Sequence, residues 1–356
     1  MCAAVGAFMS ASAGDLVGNL GSRLTTIQAG GRSLPMTISD GTPTCYLCCP
    51  SVAYLDYAED ELRHFNARPL LKTTLRGLIA AARPLLRASG FDRQVQPNNW
   101  LVSTNIVPDL STGDIAEMTR DLIRQWPDHA ILWRSLNDYR HGEMLARFKA
   151  CGYKPLPSRQ IYMFDARHRA PAGHRDEGRD RRLLAQSDYR LAGPEHIVAA
   201  DFERMAWLYQ KLYLDKYTWL NPIYTPLFMR LMHEAGVLAF YGLRNGDGVL
   251  DAVIGFFEQG DTLTAPIVGY DTGLPPATGL YRRLMAMALM RARDRRLLYN
   301  MSAGAAAFKR HRGGVAALEY SVVYNRHLGL GTRLAGGCVQ TLLATVGVAV
   351  LRGFEL

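Results

Sequence analysis

Several groups of residues between positions 263 and 326 have types and spacings that suit chemistry on an anionic ligand. Tyr270 and Asp271 end an apolar run, 263–271, that fits a buried strand. Asp271 would then lie at the carboxyl end of a strand, where ligands of open α/β sheets bind; the alternative is that it caps the following loop. That loop, 272–279, holds Pro275 and Pro276 and runs into a helix over 280–296, with Leu280, Leu284, Met287 and Ala288 at helical spacing. Strand, turn and helix in this order leave N–H groups at the helix start, where unpaired donors and the helix dipole hold an anion. The candidate donors are Thr278, Gly279, Leu280 and Tyr281, with Arg282 or Arg283 supplying charge for phosphate. Asn300 and Ser302, on a short strand over 297–304, would present hydrogen-bonding groups to the same place. Lys309, followed by Arg310 and Arg312, would pair with a phosphate or a substrate carboxylate; otherwise the three form an exposed basic turn. Ser302 has no Gly-x-Ser-x-Gly elbow and is not read as a nucleophile.

The elements that must position these groups recur in two halves. A first half over 43–165 begins with extended structure at 43–57. A helix at 69–89 follows, kinked at Pro84 and closed by Gly90. Then come a strand at 100–107, a helix to Trp126 opened by Ser111 or Asp114, a strand at 130–136, a helix at 141–150 and a strand at 160–164. Trp133-Arg134-Ser135-Leu136-Asn137 ends a strand on polar groups. Arg134 is read as part of a polar network or as a carboxylate site, with Arg159 near it. The stretch 166–190 is charged, with Pro171, Gly173 and Gly178, and is read as a linker between domains; its rival reading is a basic arm for RNA or acidic lipid. The second half, 191–330, has helices over 195–213 and 226–235, a hairpin at 237–257 turned by Asn245-Gly246-Asp247-Gly248, and then the strand, helix and strands described above. Tyr217 and Trp219 wall a pocket or pack at a helix end.

The whole chain has 356 residues, enough for two domains, and a net charge of +9, which suits an anionic partner without specifying it. No known nucleic-acid signature is present, which argues against sequence-specific DNA binding. Residues 1–42 read as a loosely docked leader, lacking the n-region and apolar core of a signal peptide. Cys45, Cys48 and Cys49 cluster without a second ligand pair at zinc spacing, so they read as buried thiols. No metal is expected, and a reduced cytoplasmic setting follows. The apolar segment within 331–356 reads as a helix packed on the body or on a second copy as a homodimer, with peripheral membrane association as the alternative.

Meandering strands followed by strand, turn, helix, strand, helix, strand resemble the GNAT superfamily of N-acyltransferases. Two such halves resemble a tandem GNAT protein, similar to Fem-type aminoacyltransferases. The residues that carry this are Gly269-Tyr270-Asp271, the loop 272–279, Asn300-Met301-Ser302-Ala303-Gly304 and Phe308-Lys309-Arg310. The resemblance implies an α+β fold of two GNAT-like halves, each a mixed β-sheet flanked by helices, with the second half active. It also implies transfer of an acyl group from acyl-CoA or an acyl-carrier protein to an amine of a small molecule or peptide. Such transfer needs positioning, a polarised carbonyl and proton management. Tyr270, Asp271, Glu258, Tyr281 and Glu319 are candidates for the proton work, and Lys309 is carried over from the family's Phe/Tyr-Lys segment. Asn300, Ser302, Arg134 and Trp219 are expected at the substrate. Where the family has a glycine-rich pyrophosphate loop, this chain has Leu274-Pro275-Pro276-Ala277-Thr278-Gly279, and prolines remove donors. Two rivals follow: Fem-type transfer from aminoacyl-tRNA, and a non-catalytic binding protein that kept the fold.

Overall fold

A computed structural model of the chain describes residues 5–6, 9–42, 45–64, 69–167, 174–186 and 188–354. In chain order these form α1 (Ala13–Leu16), β1 (Arg23–Ala29), β2 (Arg32–Asp40), a π turn (Val52–Asp56) leading into α2 (Tyr57–His64), α3 (Pro69–Ala88), β3 (Arg93–Pro97), α4 (Thr112–Gln125), β4 (Ala130–Asn137), α5 (Gly142–Ala150) and β5 (Lys154–Asp165). Next come α6 (Arg175–Ala185), β6 (Arg190–Ala192), α7 (Asp201–Tyr213), α8 (Pro226–Glu234), β7 (Leu238–Arg244), β8 (Leu250–Gln259), β9 (Thr262–Tyr270), α9 (Leu280–Asp294), β10 (Leu298–Asn300), α10 (Ala306–Arg310) and β11 (Val315–Tyr324). The last described element is a long helix, Leu330–Phe354, whose segments α11 (Leu330–Leu342) and α12 (Val348–Phe354) join through a π turn (Leu343–Gly347). The fold is α+β, with mixed sheet flanked by helices.

The backbone divides into two compact units. One comprises 1–158, 217–223 and 319–353; the other comprises 159–216, 224–318 and 354–356. Both β5 and β11 therefore change unit part-way along. The division differs from the two sequential halves read from sequence, because residues 319–353 belong to the first unit and 159–165 to the second.

In the first unit β1 pairs with β2, β2 with β3 and β4 with the end of β11, all antiparallel, while β3 and β4 are parallel across α4. The alternation along β4 assigns its two faces. Ile131 and Trp133 join Ile115, Leu122 and Phe148 under α4 and α5, and Ala130 and Leu132 join Leu86, Phe91 and Val339 under α3 and α11. Residues 23–40, read as part of a leader, are the β1–β2 hairpin. Ala29 faces Arg32 across Gly30 and Gly31, both at positive φ, which a two-residue hairpin turn demands.

Two other expectations fail here. Within 43–57 the described residues form turns and a π turn rather than a strand. The strand expected at 100–107 lies earlier, at β3. Asn98 and Leu101 sit at positive φ, and asparagine side chains take up the loop backbone: Asn105 Oδ1 accepts from the Trp100 N–H at 3.0 Å, and Asn98 Nδ2 donates to the Ile106 carbonyl at 3.0 Å.

In the second unit β6, β7, β8 and β9 form an antiparallel meander, β9 pairs with β10 in parallel across α9, and β10 pairs antiparallel with β5. Ile254, Phe256, Val268, Leu284, Ala288 and Tyr299 fill the layer between sheet and α9. On the other face α7 crosses β9 at Gly269, where an added Cβ would lie 2.6 Å from the Tyr209 nitrogen and 2.7 Å from the Leu208 carbonyl carbon. Backbone cannot swing aside as a side chain can. We therefore expect Gly269→Ala to cost about 3 kcal/mol in a denaturant melt, the upper part of the overpacking range. A loss below about 0.5 kcal/mol would mean that α7 is not seated there.

The stretch 166–190, expected to be a linker, contains α6. Its acids turn inward: Glu177 and Asp180 are buried, while Arg175, Arg179, Arg181 and Arg182 are exposed. Arg293 of α9 grips both carboxylate oxygens of Glu177 at 2.6 and 2.7 Å, a charge-assisted pair of bonds that fixes α6 to α9.

Candidate active site

The second unit's sheet opens between β9 and β10. Parallel pairing covers only Thr262, Thr264 and the residue between them, against Leu298 to Asn300. Past Asn300 the chain follows β5 instead: the Met301 N–H donates to the Tyr162 carbonyl at 2.8 Å, and the Tyr162 N–H donates to the Ser302 carbonyl at 3.2 Å. β9 continues alone on that side to Tyr270, so a seam opens at the carboxyl ends of two parallel strands.

Three rings stand in a row beside it, packed against the core. Tyr270 at the end of β9 lies 6.3 Å from Tyr281 in the first turn of α9, and Tyr281 lies 5.0 Å from Phe308 of α10. Past Asn300 runs a loop in which Ser302 (φ 62°), Gly304 (φ 77°) and Ala305 (φ 50°) all adopt left-handed conformations. For Ser302 and Ala305 this is strained backbone, which persists only where surroundings fix it. The fixing bonds are visible. Asn300 Oδ1 accepts from the Ser302 N–H at 2.8 Å, and Lys309 Nζ donates to the carbonyls of Ser302 at 3.0 Å and Ala303 at 2.6 Å.

Lys309 is buried, not the exposed basic turn that its neighbours suggested. Burial, with a further push from the Arg159 guanidinium, lowers its pKa from 10.5 to about 7. An ammonium has three N–H donors, so one remains after the two carbonyls.

The start of α9 has no cap: Gly279, at φ 67°, carries no side chain, and the first turn holds no acidic residue. The equivalent crossover helix of the first unit, α4, is closed by its own capping box. Ser111 and Asp114 exchange bonds there, and Asp114 adds a negative charge at the helix start. Several expected phosphate contacts are nonetheless engaged elsewhere. The Thr278 and Gly279 N–H groups donate to the carbonyls of Pro275 and Pro276 at 2.9 and 3.0 Å. Arg283 donates to the carbonyls of Thr278 and Leu183, and Arg282 to Asp180 Oδ1 at 2.6 Å. Leu183 of α6 also lies against Gly279, 2.7 Å from where a Cβ would stand. The Arg283 N–H, too, bonds within the helix, to the Gly279 carbonyl at 3.0 Å.

Three further placements bear on the site. Asp271 accepts from the Gly273 N–H at 3.0 Å and from Arg204 at 3.0 Å, which makes it the cap of its turn. Glu258 pairs in register with Leu263, at the opposite end of β9 from Tyr270, and is held by Arg291 and Arg295. Glu319, Arg134 and Trp219 belong to the first unit. There Arg134 donates to the carbonyls of Leu47 and Ser103 at 3.2 Å each. Tyr270, Tyr281, Asn300, Ser302 and Lys309 are brought together. Asp180 joins them, through Arg282 and Arg312, without having been singled out from sequence.

No protein-family model matches the chain, and no curated protein does. Among solved structures the chain is similar to the C-terminal domain (DUF2156) of a putative lysylphosphatidylglycerol synthetase from Agrobacterium fabrum, with 12% identity over 74% of this chain and 92% of that one and a TM-score of 0.48. It is also similar to L-PGS from Bacillus licheniformis, with 13% identity over 63% and 78% of the two chains and a TM-score of 0.45. FemX matches with 9% identity over 62% and 79% and a TM-score of 0.46.

Proposed function

We propose that the second unit transfers an acyl group from an anionic carrier to an amine, in the seam between β9 and the loop 301–305. The observation that carries this reading is the opening of the sheet beside an uncapped helix start. An extended acyl arm can lie there with its carbonyl near Lys309 and its carrier outside. The amine attacks that carbonyl, and the third N–H of protonated Lys309 stabilises the oxyanion as it forms; the carrier's ester or thioester bond then breaks as the carbonyl re-forms, and Tyr281 or Tyr270 passes the proton the amine sheds to the departing carrier oxygen or sulfur. Asn300 and Ser302 position the acceptor through the loop they brace.

The carrier we favour is aminoacyl-tRNA rather than coenzyme A. Two of the expected pyrophosphate donors are internally bonded and Arg282 and Arg283 are engaged, so a compact pyrophosphate has little to meet at Gly279. The exposed arginines of α6, beside that corner, suit a phosphate backbone that stays outside the seam. Filter binding tests this with aminoacylated tRNA and acyl-CoA side by side. Charged tRNA should bind with steep salt dependence, and Arg179→Glu with Arg182→Glu should weaken it at least tenfold, while acyl-CoA should leave the melting temperature unchanged. Stabilisation by acyl-CoA without tRNA binding would replace this reading with the coenzyme A one. Neither effect, nor any response to an acyl-carrier protein, would favour the non-catalytic binding protein.

A further inference from the structure

We infer that α3 and the helix Leu330–Phe354 together form a docking surface for an anionic lipid bilayer, lying flat on it rather than spanning it. The two helices share one cluster: Leu86 of α3, Val339 of α11 and Phe91 pack together, and Ile79, Ala82 and Leu343 pack against them. What they turn outward is apolar. Leu70 is 79% exposed, Leu330 67% and Leu334 62%, with Leu78, Leu85 and Val346 exposed as well. The long helix has 25 residues with mean hydropathy 1.9 over its most apolar window, of which 11% is buried.

Charge identifies the occupant. Neither Pro69–Ala88 nor Leu330–Phe354 contains an Asp or Glu, and the cations are Lys72, Arg76, Arg83, Arg87, Arg333 and Arg352. Arg83 is neutralised by Asp56 and Glu59. The other five form no salt bridge among the described residues, and Arg76, Arg87, Arg333 and Arg352 are exposed. A second copy of the chain meeting this face through a two-fold axis would set cations against cations. An anionic leaflet satisfies both the apolar and the cationic groups at once. A spanning role is disfavoured by how the helix is seated: at Gly336 an added Cβ would lie 2.6 Å from Asn325 and 2.9 Å from Phe91, and Val339 is buried. Pulling the helix out would expose that contact.

This inference stands apart from the proposed activity, and its test uses no substrate. The full chain is floated with vesicles of pure phosphatidylcholine and with vesicles containing one-third phosphatidylglycerol. Binding to the anionic vesicles should be at least tenfold tighter and should weaken with salt. Arg76→Gln alone should lower it about fivefold, the effect of one surface cation. Leu330→Ser with Leu334→Ser, both at largely exposed sites, should lower it further while the thermal melt stays unchanged. Equal binding to both vesicle types, or none, would overturn the inference. So would a stable dimer in light scattering that the two leucine substitutions dissociate.

Discussion

Asp180→Ala should remove about 3–5 kcal/mol of stability, the loss expected when one partner of a buried ion pair leaves the other uncompensated. Asp180 takes Arg312 Nε at 2.6 Å on one oxygen and Arg282 Nε at 2.6 Å on the other. Its own side chain is 1% exposed and that of Arg312 is 6%, so water cannot replace the lost carboxylate at Arg312. Arg282, 44% exposed, can turn to solvent and contributes little to the loss. A urea titration should therefore show a large shift for Asp180→Ala and a small one for Arg282→Gln. Adding Arg312→Leu to Asp180→Leu should recover much of the stability, because two apolar groups do not carry a stranded charge. If the double variant is no better than the single, the pair is not the brace that the distances describe.

Lys309→Met should lower turnover about a hundredfold while leaving the fold intact, the scale set by loss of one donor to a developing oxyanion. Stability reports on the same group independently. Unfolded, the amine titrates near 10.5; folded, it titrates near 7. Between these values the unfolded chain holds the proton and the folded chain does not. This group's contribution to stability therefore rises as pH climbs from 7 toward 10.5, by about 1.4 kcal/mol per pH unit at the steepest. Lys309→Met should flatten that rise. Near pH 7 the relief of a poorly solvated amine offsets the two carbonyl bonds given up, so the net change there should be small. A flattened pH profile with unchanged turnover would make Lys309 a brace for the strained loop and nothing more.

Much of the second unit was legible because its signals are local. The apolar run ending at Tyr270, the spacing of Leu280, Leu284, Met287 and Ala288, and the Asn-Gly and Asp-Gly turn are each contained within a few residues. The losses have physical causes. β3 reads Arg-Gln-Val-Gln-Pro, and Gln94 and Gln96 are buried polar groups, so no apolar alternation marks it. Residues 100–107 have the composition of a strand, but neighbouring asparagines outcompete a ladder for their backbone. The β1–β2 hairpin did announce itself, in Gly30-Gly31 between alternating stretches, and was obscured by the small-residue leader before it. For α6 the inward line of Glu177, Asp180 and Leu184 was visible in its spacing, but acids on a buried stripe become intelligible only with Arg293 and Arg312 in place. The burial of Lys309 could not be read from sequence, because its surroundings come from β5 and from the loop behind it.

Asp114 leaves the two crossover helices unequal in a way that bears on stoichiometry. The first unit keeps a permanent negative tenant at a helix start that in its counterpart holds no acid, and evicting that carboxylate would sacrifice the helix cap. If the proposed function holds, a carrier has one berth per polypeptide. A tight analogue of it should titrate the purified protein at one equivalent, and a lesion confined to the second unit should silence the whole chain, with no reserve centre to take over.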